Sequence, residues 1–246
     1  MFSSPSVIIF KREFASFFAT PVAYIFIAIF LVLSSVFTFM FGGFYEQGQA
    51  DLLSFFNFHP WLYLFLVPAI AMRSWSEERK SGSIELLMTL PFTTMQIMLG
   101  KFFAAWAILA LCLTLTFPLW IILNYLGEPD NGIVLAAYLG SWLMSGAYLA
   151  VGVCMSATTR NQVVAFILAV VVCFFLVLAG SPLVIDLFKL WAPNMVVDTV
   201  AAFSFLSHFQ NMAKGVIALN DVVFYILSIT VWLYAGYVVI EQKKAD

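Results

Sequence analysis

The chain has 246 residues, 63% of them apolar and 10% charged, where soluble domains carry about 45–50% and about 25%. With a mean hydropathy of +1.02, a water-soluble globular enzyme is excluded. So is a disordered chain, which needs low hydrophobicity and high net charge. The net charge of −2 offers nothing to a nucleic acid, and no such partner is expected.

Residues 4–20 read as an interfacial helix. Ser4 is placed to cap it, with Pro5 at the first helical position. Val7, Phe10, Phe14, Phe17 and Phe18 fall on one face, and Lys11, Arg12, Glu13 and Ser16 on the other. Such a helix lies in the headgroup layer, and Thr20-Pro21 ends it. The first span follows at 21–45. Its apolar part is too long for a signal peptide and no small-x-small site precedes Glu46, so an uncleaved span is expected. Glu46 to Asn57 read as a short outer loop, overlapping the start of a second apolar run, 52–72.

The stretch RSWSEERKSGSIELLMTLPFTTMQIMLGK, Arg73 to Lys101, interrupts the apolar pattern. Glu77, Glu78, Arg79 and Lys80 form a charge cluster. Ser81-Gly82-Ser83 is a turn, and Ser83 is placed to cap a short helix from Ile84 to Leu90 that Pro91 stops. Glu85 suits the first turn of that helix. Gly82 sits where a positive φ is expected. Thr93 and Gln96 have capping-box spacing, so a new helix starts there. A short stiff helix pinned at both ends is more than a connector needs.

Further apolar runs cover 102–126, 133–157, 163–180 and 222–240. Each is long enough to cross a bilayer as a helix, and helices leave no backbone group unpaired in lipid. Between the last two, residues 181–221 are too apolar for a solvated loop and too interrupted for a span. A re-entrant pair of short helices, or a layer packed on the span ends, fits them. Six spans place both termini on one side. Lys11, Arg12, Arg73, Arg79, Lys80, Lys101, Arg160, Lys243 and Lys244, nine of the eleven basic residues, share that side, which leaves Lys189 and Lys214 opposite. The positive-inside rule makes the nine-residue side cytoplasmic.

No catalytic constellation emerges. Cys112, Cys154 and Cys173 lie in apolar runs, at neither metal-ligand nor disulfide spacing. No carboxylate cluster accompanies His59 or His208 in sequence. Glu77-Glu78 would need Arg where Gly82 stands to read as an E-E-x-x-x-R protease. Gly140, Ser141, Ser145, Gly146 and Gly152 suit close helix packing.

Glu77-x-x-x-x-Gly82-Ser83-x-Glu85-Leu86-Leu87 with Pro91 resembles the loop between spans two and three of the ABC-2 type permeases. The family usually has Thr where this chain has Ser83, and either hydroxyl can cap. The amphipathic N-terminus, the six spans and the apolar outer segment extend the likeness over nearly the whole chain. Phe203, His208, Phe209, Gly215 and Asp221 resemble the gliding-motility (GldF) and NosY-like branch.

The resemblance implies an all-α membrane protein, a single ABC-2 type transmembrane domain over 1–246. It has six transmembrane helices, an amphipathic elbow helix, a cytoplasmic coupling helix within loop 76–96 and a re-entrant outer segment. It further implies a non-catalytic permease subunit of an exporter or mechanotransmitter in an inner (cytoplasmic) membrane. Glu77, Glu78, Arg79, Gly82, Ser83, Glu85, Leu86, Leu87 and Pro91 would couple it to a separate ABC ATPase. ATP and Mg would be bound by that ATPase, and this chain has no phosphate-loop motif of its own. A second permease copy or homologue, and an auxiliary outer-side subunit, are implied partners. The alternatives are a secondary transporter or channel, against which the charge-free span centres count, and a structural assembly subunit.

Overall fold

The computed structural model describes residues 5–46, 48, 51–84, 91–189 and 193–243. Among these the chain is nearly all helical, with no strand. The helices are α1 (Pro5–Ala19), α2 (Val22–Val36) continued by a π-turn (Phe37–Phe41), α3 (Leu53–Asn57), α4 (His59–Ala71) and α5 (Arg73–Ser81). They continue as α6 (Thr94–Leu115), α7 (Phe117–Leu126), α8 (Asn131–Thr158) and α9 (Gln162–Leu178). The last are α10 (Pro182–Lys189), α11 (Asn194–Ala202), α12 (Phe205–Ala213) and α13 (Leu219–Gln242).

Four helical runs are long and apolar enough to cross a bilayer: Val22–Phe41, Thr94–Leu126, Asn131–Thr158 and Leu219–Gln242. They fall on the first, third, fourth and sixth expected spans. The fifth, α9, is apolar but has 17 residues. The run 52–72 differs from expectation, because it is not one helix. Pro60 in the first turn of α4 starts a new helix behind Phe58. The 13 residues of α4 extend about 20 Å, against a hydrocarbon core of about 30 Å. The third run begins at Thr94 rather than 102. Thr93 Oγ1 accepts from the Gln96 N–H at 3.3 Å, and the Gln96 side chain accepts from the Thr93 N–H at 3.1 Å. That is the expected capping box.

The centre of the bundle is α8. Asp130 caps it, accepting from Gly132 N at 2.8 Å and Ile133 N at 3.3 Å. It packs on α4, α6, α9, α12 and α13, and three glycines set how closely. A Cβ at Gly140 would lie 2.8 Å from Met212 Cβ of α12. One at Gly146 would lie 2.8 Å from the Trp106 ring of α6, and one at Gly152 would lie 2.4 Å from Ala71 Cβ of α4. Lipid is as apolar as leucine, so membrane helices gain by such close backbone approach rather than by the hydrophobic effect. The packing role expected of these small residues is what they have. Trp106 stacks on Trp142 with centroids 4.2 Å apart and donates its Nε1–H to the Trp142 carbonyl at 3.0 Å.

The outer helices read equally directly. On α9, Ala165, Ala169, Cys173 and Val177 are buried at four-residue spacing, while Val163, Ile167, Val171 and Phe175 are exposed. That is a narrow face packed on protein and a bulky apolar face left exposed. Helix α1 lies on α6, with Ile9 pressed onto Gly100, where a Cβ would come within 2.6 Å of Ile9 Cγ2. The Phe residues of α1 form a ladder, Phe10 on Phe14 at 5.7 Å and Phe14 on Phe18 at 5.2 Å. Among the described residues between α9 and α13 there are three short helices, α10 to α12, and α12 is packed on α8 and α13.

Candidate functional site

The segment expected to carry function starts one helix earlier than its charge pattern suggests. Glu77, Glu78, Arg79 and Lys80 belong to α5, which follows α4 across a hinge at Met72. Ser156 of α8 stabilises the hinge. Its hydroxyl donates to the Met72 carbonyl at 2.9 Å and accepts from the backbone N–H groups of Trp75 and Ser76 at 3.0 and 3.1 Å. The Trp75 N–H, in the first turn of α5, has no acceptor within its own helix, and the Met72 carbonyl also accepts from the Ser76 hydroxyl. On the exposed side Arg73 forks onto Glu77 at 2.8 and 3.1 Å, the favourable i,i+4 spacing. Hydrogen bonds from Arg73 hold the Glu77 carboxyl below its ordinary value.

Lys101 is the anchor beneath α5. Its side chain is 4% exposed, and its ammonium lies 2.5 Å from Glu78 Oε1 of α5 and 3.3 Å from Glu13 Oε1 of α1. It also sits 5.7 Å above the Trp75 ring, where the cation is attracted by the ring quadrupole. Burial alone would raise the Glu13 carboxyl. Lys101 and Arg12, which lies 2.6 Å away, together carry it below its ordinary value. A buried cation demands such partners. One ammonium therefore ties α1, α5 and α6 together. Glu78 Oε2 is buried with no hydrogen-bond partner among the described residues. A cavity of about 530 Å³ opens between α1, α4, α5 and α6, with Arg73, Glu78 and Lys101 in its wall.

Arg79 turns the other way and donates to the Ala157 carbonyl at the end of α8 at 2.7 Å. Lys243, just beyond α13, donates to the neighbouring Thr158 carbonyl. Both cations meet the negative end of the α8 dipole. Partial burial, and after it the charge of nearby Arg160, lowers the Arg79 guanidinium. Burial, then Arg79 and Arg160, lowers the Lys243 ammonium. Helix α5 ends at Gly82, whose φ of 73° is the left-handed C-cap that glycine adopts without strain. The Ser83 hydroxyl faces back onto α5, 2.9 Å from that of Ser81. Glu85, Leu86 and Leu87 lie outside the described residues, and Pro91 is exposed in a bend before α6.

Sequence reasoning did not find Glu13, Lys101 or Ser156. Lys101 was visible as an isolated cation beside a charge-free run, which in a membrane helix asks for a partner. Ser156 gave no signal.

At the far end of the bundle, His208 of α12 has an acceptor at each ring nitrogen. Asp221 Oδ1 lies 2.5 Å from Nδ1, and the Ala202 carbonyl lies 3.0 Å from Nε2. Phe224 stacks on the ring at 4.0 Å. The carboxylate partner absent from the local sequence is thus supplied 13 residues on. His59 is fully buried, its Nδ1 2.7 Å from the Ser141 hydroxyl, which also lies 2.7 Å from the Tyr63 hydroxyl. Among the described residues no group of three or more His, Cys, Asp or Glu can hold a metal ion. Cys112, Cys154 and Cys173 are buried and free. The arrangement consists of charged and capped joints linking helices at the two ends of an apolar bundle.

The family described as ABC-2 family transporter protein matches residues 7–245. The chain belongs to that family: it is a membrane-spanning transporter component of the permease kind. No curated protein matches it.

Proposed function

We propose that the chain is the permease half of an ATP-driven transporter, moved by a separate cytoplasmic ABC ATPase that docks on the segment after α5. The observation carrying this reading is the Lys101 joint. The segment 83–92 is bounded by the Gly82 cap on α5 and the Thr93 capping box on α6. Lys101 then fixes α5 and α6 to α1. Force applied to the segment would reach α8 through Arg79 and Ser156, and α13 through α8.

In this reading α4 together with α3 serves as the second membrane crossing and α9 as the fifth, giving six. Helix α1 is the elbow in the cytoplasmic headgroup layer, and both termini face the cytoplasm of an inner membrane. Residues 181–221 form the outer, re-entrant element. Glu77, Glu78, Arg79, Gly82, Ser83, Glu85, Leu86, Leu87 and Pro91 make up the coupling surface. The chain itself holds no cofactor and catalyses nothing, and ATP and Mg belong to the ATPase. Two permease copies or homologues form the working unit, with an auxiliary outer-side subunit. The branch is the gliding-motility (GldF) and NosY-like one, for which Phe203, His208, Phe209, Gly215 and Asp221 are the supporting residues.

Leu87→Glu is the direct test. Burying a Leu is worth roughly 1.5–3 kcal/mol, so a charge there should weaken capture of the ATPase while membrane insertion stays normal. Undiminished capture and ATP turnover by Leu87→Glu would overturn the docking role.

A further inference from the structure

We propose that the cavity between α1, α4, α5 and α6 binds the headgroup of a zwitterionic phospholipid. Its ammonium pole would lie on Glu77 and Glu78, and its phosphate pole on Arg73 and Arg12. At about 530 Å³ the cavity is well above the roughly 30 Å³ of a liquid water and within the range of about 300–1,000 Å³ of small-molecule sites.

The walls carry three cations, Arg12, Arg73 and Lys101, and three carboxylates, Glu13, Glu77 and Glu78. The floor is apolar, made by Ala105, Leu149 and Val153. This combination selects among ligands. Glu78 Oε1 already accepts from Lys101, while Oε2 is buried and has no donor among the described residues. A buried carboxylate oxygen without a donor is costly; Glu78 lines the cavity, and a turn of its carboxyl would present that oxygen to a donor there. A simple anion would leave Oε2 unpaired and face three carboxylates. A simple cation would satisfy Oε2 but compete with Lys101 and leave the guanidinium edges unused. Arg73 and Arg12 are 41% and 53% exposed, and each guanidinium has more N–H groups than its one carboxylate takes. An ammonium and a phosphate on one short headgroup meet both requirements.

A membrane lipid, rather than a soluble zwitterion, follows from position. Thr20 and Val22, where α1 passes into α2, line the same cavity, and Val7 and Ile8 of α1 are exposed apolar residues. A helix with that pattern lies at headgroup depth. The inference rests on that placement of α1 and not on docking of an ATPase.

The test is native mass spectrometry of the delipidated full-length chain, titrated separately with phosphatidylethanolamine and phosphatidylglycerol. Free phosphoethanolamine is titrated by calorimetry. The expected result is one tightly held phosphatidylethanolamine, with phosphatidylglycerol and the free headgroup bound at least about tenfold more weakly, the loss of one charge-assisted hydrogen bond. Glu78→Gln and Ser74→Trp should each cost a similar factor. Ser74 lines the cavity, so Trp fills it without touching a charge, and an unchanged melting temperature shows that this variant is folded. Equal retention of the two lipids, or wild-type retention by folded Ser74→Trp, would overturn the proposal. Free phosphoethanolamine binding as tightly as the lipid would overturn the membrane source.

Discussion

Lys101 and Glu78 meet at 2.5 Å across the α5–α6 contact, with the lysine side chain 4% exposed. The residues are 23 positions apart, and the segment bounded by the α5 and α6 caps lies between them. The contact closes a short loop whose two ends cannot move independently.

Lys101→Met should break that closure. It leaves Glu78 partly buried without its cation and Glu13 with Arg12 alone, a loss of about 3 kcal/mol. Lys101→Arg should retain most of it. Melting curves in detergent compare the two, and equal stability of the Met variant and wild type would show that the triad is ornamental to the fold.

The Glu13 carboxyl gives this joint a pH signature. Its value in the folded chain is below the ordinary 4.5, so its contribution is fully present above that pH. It is lost as pH falls through the depressed value, because the unfolded chain then binds the proton first. The difference in melting temperature between wild type and Glu13→Gln should stay constant from neutral pH to about pH 5 and shrink below 4.5. A difference that disappeared above pH 5 would contradict the assignment.

Gly152 faces Ala71 so closely that an added Cβ comes to 2.4 Å. Gly152→Ala should cost about 1–3 kcal/mol through overpacking. Ala71→Gly in the same chain should recover most of that loss, since the two sites share one contact. Additive losses in the double variant would place the strain elsewhere.

Asp221 is fully buried, and its oxygens lie 2.5 Å from His208 Nδ1 and 3.4 Å from Asn211 Nδ2. Asp221→Ala removes the acceptor from both donors and should cost about 2–3 kcal/mol. Faster proteolysis between residues 181 and 218, with α8 and α9 protected, is the expected pattern by limited digestion. Unchanged digestion would mean that α12 is held by its apolar contacts alone.

Local signals in the sequence were faithful. Thr93 with Gln96 specified the start of α6, Gly82 the left-handed end of α5, and Gly140, Gly146 and Gly152 the tight face of α8. Each is a property of a few neighbouring residues. The break at Phe58 was also written locally, in Pro60, but the charge-free run 52–72 concealed it, because hydropathy reports burial and not continuity. The joints were not legible. Lys101 finds Glu13 across 88 positions, and Ser156 finds Met72 across 84. His208 finds Asp221 only because the chain turns at Gly215, where φ is 86°. Contacts of this kind depend on helix packing, which composition does not encode.

Gly82→Val offers the most direct test of the coupling account. A β-branched residue is strongly disfavoured at φ 73°, so the chain leaving α5 must take another direction while the bundle, packed on α8, is untouched. The measurement is ATPase activity of the partner co-purified with wild-type and Gly82→Val chains at equal membrane expression. The account predicts normal insertion with capture and ATP turnover lost in the variant. Equal capture and equal turnover would contradict it.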